Sequence, residues 1–200
     1  MKKHLLALAL LATLSALPLA AQAADLSFSG QAVNHNDKIV IDFQVAAGST
    51  VSLWTDSWQS GLNFDPQLYV ARGGVIVDHN DDNEIASLAS AGAGYYDAGL
   101  QFTATAPGGY RLVLSAASND ARGTTLAQGF AYDGSTPIKL ADWNQPSYDV
   151  NANDQKGGFW RVNLSGVETA TVVPEPGRIS LMLAGLLSIA LVVRKRQGKR

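Results

Sequence analysis

The chain has 200 residues, enough for one ordinary domain, with no Cys and a formal net charge of -2. Charge is unevenly spread: residues 24–172 hold seven Lys and Arg against 16 acids, a net charge of -9, while basic residues crowd the two ends. An acidic body excludes a nucleic-acid partner, and the lack of Cys excludes thiolate metal sites, a Cys nucleophile and disulfides.

Lys2, Lys3 and His4 open the chain, Leu5 to Leu14 is apolar, and Pro18 breaks the run ahead of Ala21-Gln22-Ala23. A basic start, a short apolar stretch and an A-x-A pattern make residues 1–23 a signal peptide, cut by signal peptidase after Ala23. The run is short for an uncleaved membrane span.

From there the hydrophobic period is two. Ile39, Ile41, Phe43 and Val45 alternate with polar positions, Ala46-Ala47-Gly48-Ser49 makes a turn, and Val51 and Leu53 resume the alternation. Leu68-Tyr69-Val70 and Val75-Ile76-Val77 flank Gly73-Gly74 and predict a hairpin. Leu100, Phe102 and Ala104 precede a turn at Pro107-Gly108-Gly109, followed by Tyr110, Leu112 and Leu114, and Trp160, Val162 and Leu164 form the last expected strand. Short strands without a long amphipathic helix predict an all-β sandwich over residues 24–166, with 167–173 as a linker.

The acidic stretch Asp78 to Glu84 is the densest chemistry. Alternating Asp78, Asn80 and Asp82 can aim oxygens at one hard cation such as calcium, although Asn83 and Ala89 stand where an EF-hand has its glycine and bidentate Glu. A solvated turn explains the same residues, because Asp and Asn bond their own backbone. After signal removal the chain keeps His35 and His79, with no catalytic motif around either, so a non-catalytic body is expected. Paired carboxylates of a hydrolase remain compatible with sixteen acids. Trp54 and Trp160 lie beside alternating strands and are expected in the core, whereas Trp58, Trp143 and Tyr148 occupy polar loops where flat rings can stack on sugars.

At the C-terminal end, Val173-Pro174-Glu175-Pro176-Gly177 is held extended by its prolines. Ile179 to Val193 follows as 15 uncharged residues, about 22 Å as a helix and so a marginal transmembrane anchor. Arg194, Lys195, Arg196, Lys199 and Arg200 then stop transfer and stay cytoplasmic, which puts the acidic body on the far side of the membrane.

These three parts in this order resemble the PEP-CTERM sorting signal of exported Gram-negative proteins, over residues 174–200 with Val173 ahead of the motif. The resemblance implies processing by exosortase at Pro174, Glu175 and Pro176, an inner-membrane intermediate with its body in the periplasm, and delivery to the cell surface or an exopolysaccharide matrix. The body is also similar to pre-peptidase C-terminal type domains, through Asn63 to Val70, the Gly-Gly hairpin, Asp78 to Asp82, Tyr96-Asp97 and Ala106 to Leu114. That likeness implies a jelly-roll-like sandwich, sometimes with structural calcium, and places Asp65 and Asp97 near the acidic loop as further ligands. Residues 117–130 and 141–158 have no counterpart in it.

Overall fold

The computed structural model describes residues 24–146 and 155–174. Nine strands build two antiparallel sheets: β1 (Ala24–Gln31), β2 (Ile39–Val45), β3 (Thr50–Thr55), β4 (Pro66–Arg72), β5 (Val75–Asn80), β6 (Gly99–Thr103), β7 (Gly108–Ala116), β8 (Phe159–Val167) and β9 (Thr169–Val173), with one short helix, α1 (Ala86–Ser90). One sheet runs β1-β8-β3-β6 and the other β5-β4-β7-β2-β9. With β9 set aside, the order 1-8-3-6 against 5-4-7-2 is that of an eight-stranded jelly roll. The expected all-β sandwich is thus present, while the helices expected on either side of it fall outside the described residues.

Alternation puts Ile41, Phe43 and Val45 of β2, Val51 and Leu53 of β3, Leu112 and Leu114 of β7, and Val162 and Leu164 of β8 into one core between the sheets. Trp160 is buried there too, close to β1: a Cβ added to Gly30 would stand 2.7 Å from its ring, so only glycine fits beneath it.

Three expectations are corrected. Residues 167–173 are sheet for most of their length: Thr169–Val173 pairs with Gln44 to Val40, and its alternating side chains lay Ala170 and Val172 against the core. The turn before β7 lies ahead of its glycines, which are the first residues of the strand, and β6 and β7 belong to different sheets, so their connection is an arch between layers. The acidic stretch is not all loop, since β5 runs on to Asn80.

Residues 117–146 fold back over the outer face of the five-stranded sheet, where Tyr69, Val113 and Phe130 form a second buried cluster. Burial pushes the Tyr69 hydroxyl up to about 12, helped by the nearby Asp120 carboxylate. Gln145, itself buried, ties this segment down: its amide accepts from the Asp65 N–H at 2.8 Å and donates to the Asp65 carbonyl at 2.9 Å.

The registers make the two ends of the sandwich unlike. Gln31 sits opposite Phe159, Thr55 opposite Val162, Leu68 opposite Asn80, Pro66 opposite Ala116 and Val40 opposite Val173. The long connections 32–38, 56–65, 81–98 and 117–158 therefore all leave from one end, which is also where the chain exits β9 into Pro174. The opposite end carries Ala24 and tight connections only, at 46–49, 73–74, 104–107 and Glu168.

Candidate functional site

The loop end owes its shape to one carboxylate. Asp97 is buried, and its Oδ1 accepts from Thr55 Oγ1 at 2.8 Å, from the Ser57 N–H at 2.9 Å and from the Trp58 N–H at 3.1 Å, while Oδ2 accepts from the Gly94 N–H at 2.9 Å. Four donors occupy the oxygens that a metal would need, so Asp97 pins the 56–58 and 94–98 segments together instead of serving as the expected ligand. The pinned segments set their rings in a chain: Trp58 tilted by 52° against Tyr96 at 5.1 Å between centroids, and Tyr96 edge-on to Tyr95 at 5.0 Å. Tyr95 is 57% exposed. Gly94 allows the close approach, since a Cβ there would be 3.2 Å from both Trp58 and Asp97. Gln59 and Ser60 hold positive φ of 52° and 57°, local strain of the kind that collects in binding loops.

Tyr96 also borders an acidic cleft of about 220 Å³, lined by Asp65, Asp81, Asp82, Ala117, Ser118, Asp120 and Pro146. Asp82 gets there through a turn in which its N–H donates to Asn80 Oδ1 at 3.2 Å. Desolvation, together with Asp81 and Glu84, raises the Asp82 carboxyl to about 6. The cleft therefore mixes a carboxyl that is protonated in mild acid with other carboxylates, an arrangement suited to hydroxyl-rich or cationic ligands.

The five expected cation ligands are not assembled. Asp65 and Asp82 share the cleft, but Asp78 belongs to a separate hollow beside Tyr69 and His79, Asn80 spends its side chain on the Asp82 N–H and the Gly99 carbonyl, and Asp97 is the staple above. Among the described residues, no three His, Asp or Glu side chains are grouped to hold a metal ion.

Trp143 is a correction of a different kind. It is buried, 5.2 Å from the His35 ring and 5.9 Å from Tyr132, so it belongs to the packing under the 117–146 segment and cannot stack on a ligand. Of the expected aromatic site, Trp58 stands at the loop end and Tyr148 is outside the described residues. Trp160 is core as expected, and Trp54 is partly buried.

His35 meets Ser135 at 3.5 Å, but the pair is not a nucleophile and base. Nδ1 accepts from the Ile138 N–H at 3.1 Å, which leaves the proton on Nε2, and the Ser135 hydroxyl donates to the Tyr132 carbonyl at 2.6 Å. The imidazole is thus a donor towards Ser135 and has no free lone pair with which to take its proton.

Of this rim, Asp81 lies within the acidic stretch and Tyr95 and Tyr96 among the loop aromatics that the sequence offers, though none of the three is among the expected ligands, and Asp120 is not singled out at all. Adjacent tyrosines ahead of a strand were a usable signal; Asp120 gave none, because its place depends on the long segment folding back. Of the sorting residues, Val173 ends β9 and Pro174 follows it exposed; Glu175, Pro176, Gly177, the apolar run 179–193, Arg194, Lys195 and Arg196 lie outside the described residues, as do Ala21 and Ala23. Within those described, no helix is long and apolar enough to cross a membrane.

No protein-family model matches the chain, and no curated protein does. Among solved structures, the chain is similar to PliG of Aeromonas hydrophila, a periplasmic inhibitor of g-type lysozyme, at 12% identity over 78% of this chain and 93% of that one, with a TM-score of 0.36. A likeness this loose bears on neither ligand nor partner.

Proposed function

We propose that the chain is an exported protein, sorted and processed by exosortase at its Pro-Glu-Pro segment, whose non-catalytic sandwich works at the cell surface or in the extracellular matrix. The observation that carries this reading is the order of parts at the C-terminal end: a Pro-Glu-Pro whose prolines favour an extended chain, an apolar run long enough for a marginal anchor, and a basic stop. The fold supports it in one respect, because β9 ends at Val173 and Pro174, the first residue of the motif, emerges exposed. Replacing Glu175 by Ala, or removing the processing enzyme, leaves a longer form in the inner membrane, read by intact mass and fractionation. A protein that reaches the surface with unchanged mass in both backgrounds overturns the sorting assignment.

A second reading concerns the body's ligand and is favoured by the ring chain Trp58, Tyr96 and Tyr95 beside the carboxylates of the cleft. Exposed rings stack on sugar faces while carboxylates accept from hydroxyls, so the loop end suits an extracellular polysaccharide. Replacing Tyr95 by Ala is expected to weaken co-sedimentation with the native exopolysaccharide several-fold. If soluble sugar is released during that assay and Asp82→Asn stops the release, the cleft is a hydrolase site and the non-catalytic reading fails.

A further inference from the structure

We infer that, while the chain is anchored, the loop end of the sandwich rests on a phospholipid surface, with Val33, Leu62 and Ile138 at the contact. This deepens the proposed reading and rests on residues 179–193 being the membrane anchor.

The tether decides which end faces the bilayer. The chain leaves the body at Pro174, on the loop end, and Ile179 is five steps further along. Fully extended, those steps reach about 18 Å, so an anchor beginning at Ile179 keeps this end close to the lipid headgroups and the tight-turn end away from them.

The loop end is also where apolar side chains stand unburied. Leu62 is 72% exposed, Val33 51% and Ile138 42%. The remaining large hydrophobics exposed to this degree among the described residues are Tyr95, at the same end, and Val75 and Val77 on the edge strand β5, where Val75 directly follows the Gly73-Gly74 turn; the loop end thus carries four of the six and the tight-turn end one. Backbone hydrogen bonds join the three loops into one surface: the His35 N–H donates to the Ile138 carbonyl at 2.9 Å, Leu140 to Val33 at 2.9 Å, Gly157 to Leu62 at 2.8 Å and Ala32 to Gly158 at 2.8 Å. Leaving these side chains in water has no compensation within the fold, whereas a bilayer interface takes them in at a gain proportional to the apolar area covered.

Charge sets the kind of lipid. The same end carries the cleft with Asp65, Asp81, Asp82 and Asp120, which an anionic surface repels, so the contact is apolar and suits a largely zwitterionic leaflet.

The chain contains no Cys, so single-Cys variants of the full chain report each end separately. Leu62→Cys at the loop end and Ala47→Cys in an exposed tight turn are labelled with a small fluorophore and reconstituted into zwitterionic phosphatidylethanolamine–phosphatidylcholine vesicles doped with a nitroxide lipid. Quenching is expected to be several-fold stronger at position 62 than at 47, and unchanged by high salt because no ion pair makes the contact. Equal quenching at both positions, in vesicles that retain the chain, overturns this inference and leaves the anchor standing. A chain the vesicles do not retain overturns both. Preferential quenching at 62 that appears only with the processing enzyme present assigns the face to that enzyme and overturns a lipid contact. A second series labels Lys139→Cys and adds Val33→Asp with Leu62→Asp; the exposed sites leave folding intact, and the lipid contact predicts that the two aspartates lift the quenching at 139.

Discussion

Removing the Asp97 carboxylate strands four donors that water reaches poorly. Asp97→Ala is expected to cost about 3 kcal/mol, since each hydrogen bond to a charged acceptor contributes more than a neutral one and the Thr55 hydroxyl is left buried. The melting temperature should fall by roughly 6–12 °C on that scale. Asp82 behaves in the opposite sense. Its folded-state carboxyl is raised to about 6 from 3.8, so the fold favours the protonated form; that stability is present below about pH 4 and is lost as pH rises through 6. Asp82→Asn should therefore match the parent at pH 4 and exceed it at pH 7.5 by less than about 1 kcal/mol, because solvent still screens this partly buried group at the cleft mouth. Thermal melts across that range check both the sign and the window.

At the scale of elements, β9 is the informative strand. It lays Ala170 and Val172 on the core and closes the open edge of β2, so a chain ending at Glu168 should be less stable than one ending at Pro174 by about 2–3 kcal/mol, measured by denaturant unfolding, and more prone to associate through β2. The sequence hid this strand because Thr-Ala-Thr-Val-Val lacks large apolar residues, and its neighbourhood to a proline-rich tail looked like spacer. Strands β2, β3 and β8 were legible because each buries one face, which writes period two into the residues; β7 showed it through Tyr110, Leu112 and Leu114, although Val113 is buried on its other face. Strand β4 is buried on both faces, and its outward Tyr69 is covered by residues 117–146, a partner that no local pattern announces. The candidate site divides along the same line. Asp82 and Trp58 sit on loops next to readable strands and were found, whereas Asp120 and the buried place of Trp143 depend on that long segment and were not.

For the whole molecule, the unlike ends mean that, on the proposed anchoring, release from the membrane would change what the protein presents. A rim held against lipid is screened from polymer, so the vesicle-anchored chain should co-sediment with exopolysaccharide several-fold less than the chain cut at the Pro-Glu-Pro segment, with a Tyr95→Ala chain weak in both forms. Processing would then both free the body and uncover its ligand face. The pairing of β9 with β2 adds a mechanical consequence. β9 runs from Thr169 towards the exit at Val173, with five residues in register against Gln44 to Val40, so tension applied through Pro174 pulls along the strand axis. Under that load the rungs are strained together, in shear, and do not open one after another like a zipper. A body held at its tight-turn end and pulled through Pro174 thus meets the force with a whole strand's hydrogen bonds at once.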